Sequence, residues 1–574
     1  MSRIRKIRKL FQITCSNERY IRNTKKRRKL DPETVFYLQK NTAELLDLTD
    51  EASSCQFSLK KLSGTRIIVS DQNLPREFCK RPGQFYIRIL ASWERNLSDR
   101  ELLKTEEGMQ LQQDLFCADV ILTAADLPFQ RLFDRVYSGT ISSFSQEELF
   151  HQIQRLEKNG QIVTEEKVKK YTDRKNILFF VGEFKKNGIT SSFLSLIHRI
   201  NLEKRNYIAC FSRDMPEKEK TIFDRLPEEV DLLCIDKKGY TPKEYLLRQL
   251  YFLKGIQFSS TIPAIDAFYQ RQYRKIFQNI RADVIINYTG YDTDMIRLLS
   301  YADKNIIYIH SDMLQEQKLK KAQHLPTLQE YYPRYTAAAA VSEQSLNVAK
   351  KITEEKGSFY LTRNLHDAAD IRKRAEQELS IQDAERANCS EEELKKCLAI
   401  VRDRFITIGR FSKEKGHDML IRAFAHYQKE YPDSCLILIG GYGDQYDALQ
   451  KLISQLQLGG KVLLIQSIQN PMPILKRCSL FLLSSLYEGL GLVLLEADTL
   501  HLPVLSTNIP GPAEFMQQYG GTLVEASEKG LYEGMLAWKS GAIKVLQIDY
   551  DERNQNCEEQ FENMLTDVES DAER

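Results

Sequence analysis

Apolar residues recur along this chain in short continuous runs separated by stretches of helical spacing, and seldom alternate strictly with polar ones. Runs at 176–182, 207–211, 230–235, 282–288, 305–309, 336–341 and 358–361 read as buried strands. A second series follows at 405–408, 435–439, 480–483 and 503–507. Between the first two of these, Leu420, Ile421, Phe424 and Ala425 recur at helical spacing from about His417, and residues 492–500 predict another helix. Strands that alternate with helices, each strand apolar throughout, predict parallel sheets covered on both faces. Upstream, shorter runs at 65–70, 82–90 and 116–123 predict three further strands. The expected class is α/β.

The strand at 480–483 enters Ser484-Ser485-Leu486-Tyr487-Glu488-Gly489-Leu490-Gly491-Leu492. Glu488 then lies in the loop at the carboxyl end of a strand, and Glu496 one or two turns into the next helix. Open α/β sheets bind ligands in that crevice. Two carboxylates suit a polyhydroxylated ligand because they accept hydroxyl protons, and Gly489 and Gly491 let backbone approach closely. An isolated pair of this kind is more often a solvated loop residue and a residue on a helix face. The neighbouring motifs alter that balance.

Upstream, Gly409-Arg410 ends a β-branched strand, and Lys415-Gly416 precedes the helix at His417. A helix start already favours anions. Arg adds a planar fork and Lys a point charge, a pair suited to a diphosphate. The next strand ends in Gly440-Gly441-Tyr442-Gly443, and the strand near Val504 ends in a turn carrying Gly511, with Glu514 in the following helix.

In this order and spacing, the four pieces resemble the nucleotide-sugar half of glycosyltransferase family 4, a retaining family of GT-B fold. The family pattern is matched by Gly409, Arg410, Lys415 and Gly416; by Gly441 and Gly443; by Glu488 and Glu496; and by Gly511 and Glu514. The resemblance implies two Rossmann-like domains facing a cleft. Arg410 and Lys415 would hold the donor diphosphate, Glu496 the nucleotide ribose, and Glu488 the transferred sugar. Backbone from Gly489 through Leu490 and Gly491 to Leu492 would contribute N–H donors, and Gly409, Gly441 and Gly443 would line the donor site. Gly188, in the polar loop 185–192, would approach from the opposite domain. His310, after the strand at 305–309, is where the family often carries a histidine close to the reacting centre. Ser342-Glu343 and Asn364-Leu365-His366-Asp367 resemble landmarks before the interdomain crossing. The charged span 367–396 reads as a helical linker, and a helix at 555–565 would cross back to the first domain.

Asp292-Thr293-Asp294 after the strand at 282–288 resembles a metal-diphosphate motif of GT-A enzymes. Loop aspartates are common, however, and Arg410 with Lys415 makes a metal redundant, so the reading is metal-independent. The first 165 residues lie outside an ordinary family 4 enzyme. Lys80-Arg81-Pro82-Gly83-Gln84-Phe85-Tyr86-Ile87 resembles the amino-terminal half of CDP-glycerol glycerophosphotransferases of teichoic acid synthesis. Those enzymes place a catalytic His-Gly-Thr directly afterwards, where this chain has Ala91-Ser92-Trp93, so the expected general base is missing. The region reads as a degenerate Rossmann-like domain kept for binding or scaffolding.

Composition changes the picture at three points. A chain of 574 residues with 42% hydrophobic and 28% charged content accommodates about three globular domains. Eleven cysteines fall singly, without CxxC, which favours a reducing compartment over a zinc or disulfide framework. Charge is unevenly placed: 1–30 carries twelve Lys/Arg against Glu18 alone, and 549–574 is acidic. A polybasic end contributes about 1 kcal/mol per cation near an anionic membrane; as an alternative it is a solvated terminus. No nucleic-acid module accompanies the charge. No signal peptide or membrane-spanning run is expected, so the localisation reads as cytoplasmic, peripheral on the inner membrane face. The expected domains are a basic segment (1–30), the degenerate domain (31–165), an acceptor-side domain (170–385), a nucleotide-sugar domain (386–545) and a helix with an acidic tail (546–574). The expected function is retaining transfer of a hexose or N-acetylhexosamine, most readily from a UDP-sugar, to a polymer or lipid-linked acceptor such as a teichoic acid precursor. The alternatives are a glycerophosphotransferase-like enzyme and a non-catalytic subunit of a transferase complex.

Overall fold

The computed structural model describes residues 97–124, 127–143, 148, 174–185, 187–236, 261–320, 323–441, 443–543 and 545–570, with strands at 45–47, 67–70 and 85–90. The basic segment 1–30, Ala91-Ser92-Trp93, Tyr442 and the last four residues lie outside the described residues. The chain groups into two compact units: Met1–Asn176, Ser212–Asp214 and Asp231–Ala282 form one, and Ile177–Phe211, Met215–Val230 and Asp283–Arg574 the other. No described helix is long and apolar enough to cross a membrane.

In the first unit five strands lie in sequence order: Leu45–Asp47, Ile67–Ser70, Phe85–Leu90, Val120–Thr123 and Thr140–Ser143. All four pairings are parallel. The expected strand 116–123 begins later, because Phe116 and Cys117 end the helix Glu106–Cys117. Thr105 caps that helix by accepting from the Gly108 amide, and Met109, Leu111, Leu115 and Phe116 are buried along it. The helical spacing of those residues outweighs the local strand wording. The charge on Arg88, inside a strand, is met by buried Asp114 at 2.8 Å, which also accepts from the Tyr86 hydroxyl at 3.0 Å. The strand Asp231–Ile235 groups with this unit: the Gln112 side chain donates to the Leu232 carbonyl and accepts from the Cys234 amide.

The second unit holds two sheets. In one, six strands of the unit run in the order Phe359–Leu361, Ala337–Ala340, Asn305–Ile309, Val284–Asn287, Asn176–Gly182, Asn206–Ser212. The other has seven: Arg386–Ala387, Val462–Gln466, Ser434–Gly440, Asp403–Ile408, Leu480–Leu483, Val504–Thr507 and Thr522–Val524. Six of these are parallel, and only the two-residue edge strand at 386–387 is antiparallel. Strands such as Ser434–Gly440 are buried at every position, as continuous apolar runs require when helices cover both faces.

One expectation is corrected here. The span 367–396 is not one helical linker: it forms the helix Ala368–Ala375, the edge strand Arg386–Ala387 and the start of the helix Glu391–Ile400. Ile371, Leu379, Ile381 and Leu394 bury in the core of the seven-stranded sheet. The many charges mask this apolar stripe in the sequence. The helix expected at 555–565 is present and longer, and takes in most of the acidic carboxyl end. The helix Tyr550–Ser570 buries Asn554, Cys557, Phe561, Leu565 and Val568, and Phe561 stacks on Phe179 of the six-strand sheet at 6.3 Å. Its acids meet cations of the same half: Glu562 and Glu569 lie 2.9 and 2.7 Å from Arg205, and Glu558 3.1 Å from Arg199.

Candidate active site

The strand Asp403–Ile408 delivers Gly409 and Arg410, and a 3-10 turn, Lys413–Lys415, leads into the helix His417–Glu430. Gly416 joins them at φ 61°, and a Cβ there would lie 2.2 Å from the Ser484 carbonyl oxygen. Glycine is therefore required both by the left-handed backbone and by the close approach. Two bonds tie this turn to the loop after Leu480–Leu483: the Ser484 hydroxyl donates to the Lys415 carbonyl at 2.8 Å, and the Leu486 amide to Glu414 at 2.7 Å.

Those ties bring Lys415 onto Glu488. The ammonium bonds the Glu488 carboxylate directly, and both side chains are 15% exposed. The Ser485 hydroxyl donates to the same carboxylate oxygen at 2.9 Å, while Thr507 holds the Ser485 carbonyl at 2.6 Å. Arg410 turns toward Glu414, 2.9 Å away and buried. The imidazole of His417 sits 3.1 Å from the Arg410 carbonyl. Burial, and after it Lys415, push His417 down to about 4, so the ring is neutral and donates.

Gly489 lies under His310: a Cβ at Gly489 would meet the His310 carbonyl oxygen at 2.3 Å. Gly511, at φ 73°, presses on Gly489 from another side, its Cβ position 2.0 Å from the Gly489 carbonyl oxygen. The His310 ring points back into its own half, 2.7 Å from the Tyr288 carbonyl, and burial pushes it down to about 4. It is a neutral donor to backbone. Gly188 opens the helix Gly188–Arg199, which Asn187 caps, and its Cβ position lies 3.9 Å from Leu492 Cδ1. The helix start thus meets the Gly491-Leu492 turn. Gly491 has φ 78°, and Leu490 buries in the core.

Glu496 lies in the first turn of the helix Val493–Thr499 and lines a cavity with Ser191, Ser195, His198, Asp370 and Arg374. Burial raises its carboxyl above the usual range, and Arg374 opposes that rise. Gly443 and Gly441 lie farther along: a Cβ at Gly443 would fall 2.1 Å from the Phe411 carbonyl oxygen, and Ser467 bonds the Gly441 carbonyl. The Gly443 approach is to the protein's own backbone. Glu514 pairs with Arg363 at 2.9 Å. Asp292 caps the helix Thr293–Leu299, its carboxylate accepting from the amides of Asp294 and Met295. Ser342 caps Glu343–Ile352 in a capping box with Ser345.

The sequence-expected set therefore converges in part. Lys415 meets Glu488, Gly489 meets His310 and Gly511, and Gly188 meets Leu492. Arg410 and Glu514 are instead joined to Glu414 and Arg363. Residues that sequence reasoning missed include Ser485, Glu414 and Arg374. Glu414 had a signal, four residues beyond Arg410; Arg374 had none.

Residues 391–555, which contain the Lys415–Glu488 pair and Glu496, match the profile described as glycosyl transferases group 1. The carboxyl half carries a group 1 glycosyltransferase domain. The chain is 42% identical over 113 residues to an uncharacterized glycosyltransferase of Methanocaldococcus jannaschii, covering 20% of this chain and 28% of that protein. It is 33% identical over 139 residues to the Campylobacter jejuni N-acetylgalactosamine-N,N'-diacetylbacillosaminyl-diphospho-undecaprenol 4-alpha-N-acetylgalactosaminyltransferase, covering 24% and 37%. The chain thus spans well under half the length of these relatives. Among solved structures, Anabaena Alr3699/HepE in complex with UDP and glucose aligns over 68% of this chain and all of that one, at 14% identity and a TM-score of 0.48.

Proposed function

We propose that the group 1 domain and the six-strand half form a retaining glycosyltransferase that moves a hexose or N-acetylhexosamine from a nucleotide diphosphate sugar to a polymer or lipid-linked acceptor. The observation that carries this reading is the seating of Lys415 on Glu488, with Glu496 on the helix that follows, inside the matched domain. Lys415 and Arg410 would face the diphosphate, Glu488 the hydroxyls of the sugar, and Glu496 those of the ribose. The bond from the anomeric carbon to the diphosphate oxygen breaks while the acceptor oxygen bonds that carbon from the same face. The acceptor proton passes to the departing diphosphate oxygen. Cations fixed where negative charge grows stabilise such a departure more than water does. His310, neutral and bonded to Tyr288, would hold the backbone over Gly489, and the Gly188 helix start would close the opposite wall.

A UDP-sugar is the proposed donor, with no metal, since Lys415 and Arg410 would each exchange part of their pairing with Glu488 and Glu414 for the diphosphate. The name of the Campylobacter relative supports a lipid-linked acceptor. The wording at 80–87 supports teichoic acid or a related cell-wall glycan, assembled at the inner membrane face where the basic segment 1–30 would be attracted. Calorimetry of the full chain with UDP, GDP and ADP, each with and without EDTA, tests the donor reading. One nucleotide should bind with EDTA present and lose affinity in Lys415→Ala. Binding of none, or unchanged binding in the variant, would contradict it.

A further inference from the structure

The wall of the Glu496 cavity is built largely from outside the matched motifs. The helix Ala368–Ala375 packs on Val493–Thr499 and presents Asp370 and Arg374 to the cavity that Glu496 lines. Asp370 lies 3.7 Å from Arg374 on its own helix and 3.5 Å from Arg225. The Arg374 carbonyl accepts from the Asn470 side chain at 2.8 Å, which fixes the end of the helix. The remaining titratable groups of the cavity are engaged elsewhere. His198 sits 3.4 Å from Asp367, which also caps the helix through the Asp370 amide at 2.9 Å. His366 bonds Thr499 at 2.6 Å, and burial keeps its ring neutral. Of the cavity's cations, Arg374 is the one whose charge favours ionised Glu496, against burial and Asp370.

We propose that Arg374 is a positioning residue for donor binding: from the facing helix it holds the Glu496 carboxylate as an anion ready to accept two hydroxyls of the donor's ribose, while Asp370 fixes the guanidinium. The proposal rests on Glu496 as the ribose-binding group. An ionised carboxylate accepts through both oxygens, whereas a protonated one loses acceptor capacity.

The test follows the Glu496 carboxyl titration by 13C NMR in the full chain, assigned by the signal lost in Glu496→Gln. Arg374→Gln should raise the midpoint by about one pH unit, and Arg374→Lys should keep it near wild type. The donor KM of Arg374→Gln should rise toward tenfold above wild type as pH falls below the Glu496 midpoint and converge on wild type well above it, with kcat little changed. A role confined to folding would leave both the midpoint and the pH dependence of KM unmoved, and that result would overturn the proposal. A raised midpoint in a protein that turns over no nucleotide sugar would sink the transferase reading alone. Turnover with an unmoved midpoint would sink the role of Arg374 alone.

Discussion

Lys415 and Glu488, 73 residues apart, form a direct ion pair in which each side chain is 15% exposed. The pair exists because Gly416 lets the Lys415 turn lie against the backbone of Ser484. On the proposed reading, the cation would face the diphosphate and the carboxylate the sugar hydroxyls. Replacing Lys415 with alanine should lower kcat by about two orders of magnitude, the usual effect of removing one charge-stabilising group. Steady-state kinetics against wild type checks it, with Lys415→Arg as a partial rescue.

The contact between Gly489 and His310 is steric. Gly489→Ala would place its Cβ 2.3 Å from a backbone oxygen, so one half must move. Overpacking of this kind costs about 1–3 kcal/mol. The expected outcome is a lower melting temperature together with a loss of turnover at least as large as that from His310→Ala, whose ring points toward Tyr288. Melting curves and kinetics on both variants decide it.

Much of this arrangement was legible in the sequence. Runs such as 305–309 and 435–439 sit within buried parallel strands, because continuous apolar runs have few other places to go. The glycines at 416, 489 and 511 stand where backbone meets backbone. What periodicity could not show is partnership across the chain. Arg374 shares a cavity with Glu496 through packing that no local pattern encodes. The same holds for the acids at 558, 562 and 569, which pair with Arg199 and Arg205 far back in the sequence.

That docking gives a stability prediction. Arg205 is 5% exposed and bonds both Glu562 and Glu569. Arg205→Ala would take from the largely buried Glu569 carboxylate the guanidinium that meets both its oxygens, a change that costs about 3 kcal/mol. Denaturant unfolding should show a lower midpoint, and the double variant with Glu569→Gln should recover part of the loss.

The His198–Asp367 pair predicts a pH dependence. Asp367, the cap of the adjoining helix, raises His198 above its usual value through their direct bond, and His198 lowers Asp367. The histidine contribution is complete below the unfolded histidine value of about 6.5 and fades as pH rises through the raised folded value. The aspartate contribution is present above its unfolded value and fades as pH falls through the lowered folded one. Asp367→Asn should therefore lower the melting temperature more at pH 6 than at pH 9. Equal losses at both would remove the pair from the account.

The most direct measurement is release of nucleoside diphosphate from a panel of UDP-, GDP- and ADP-sugars, with lipid-linked and teichoic acid-type acceptors, by wild type beside Lys415→Ala, Glu488→Gln and Glu496→Ala. The account predicts turnover of one donor, most readily a UDP-sugar, with the product anomer retained and activity reduced in all three variants. Silence across the panel, or turnover that the three substitutions leave unchanged, would contradict it.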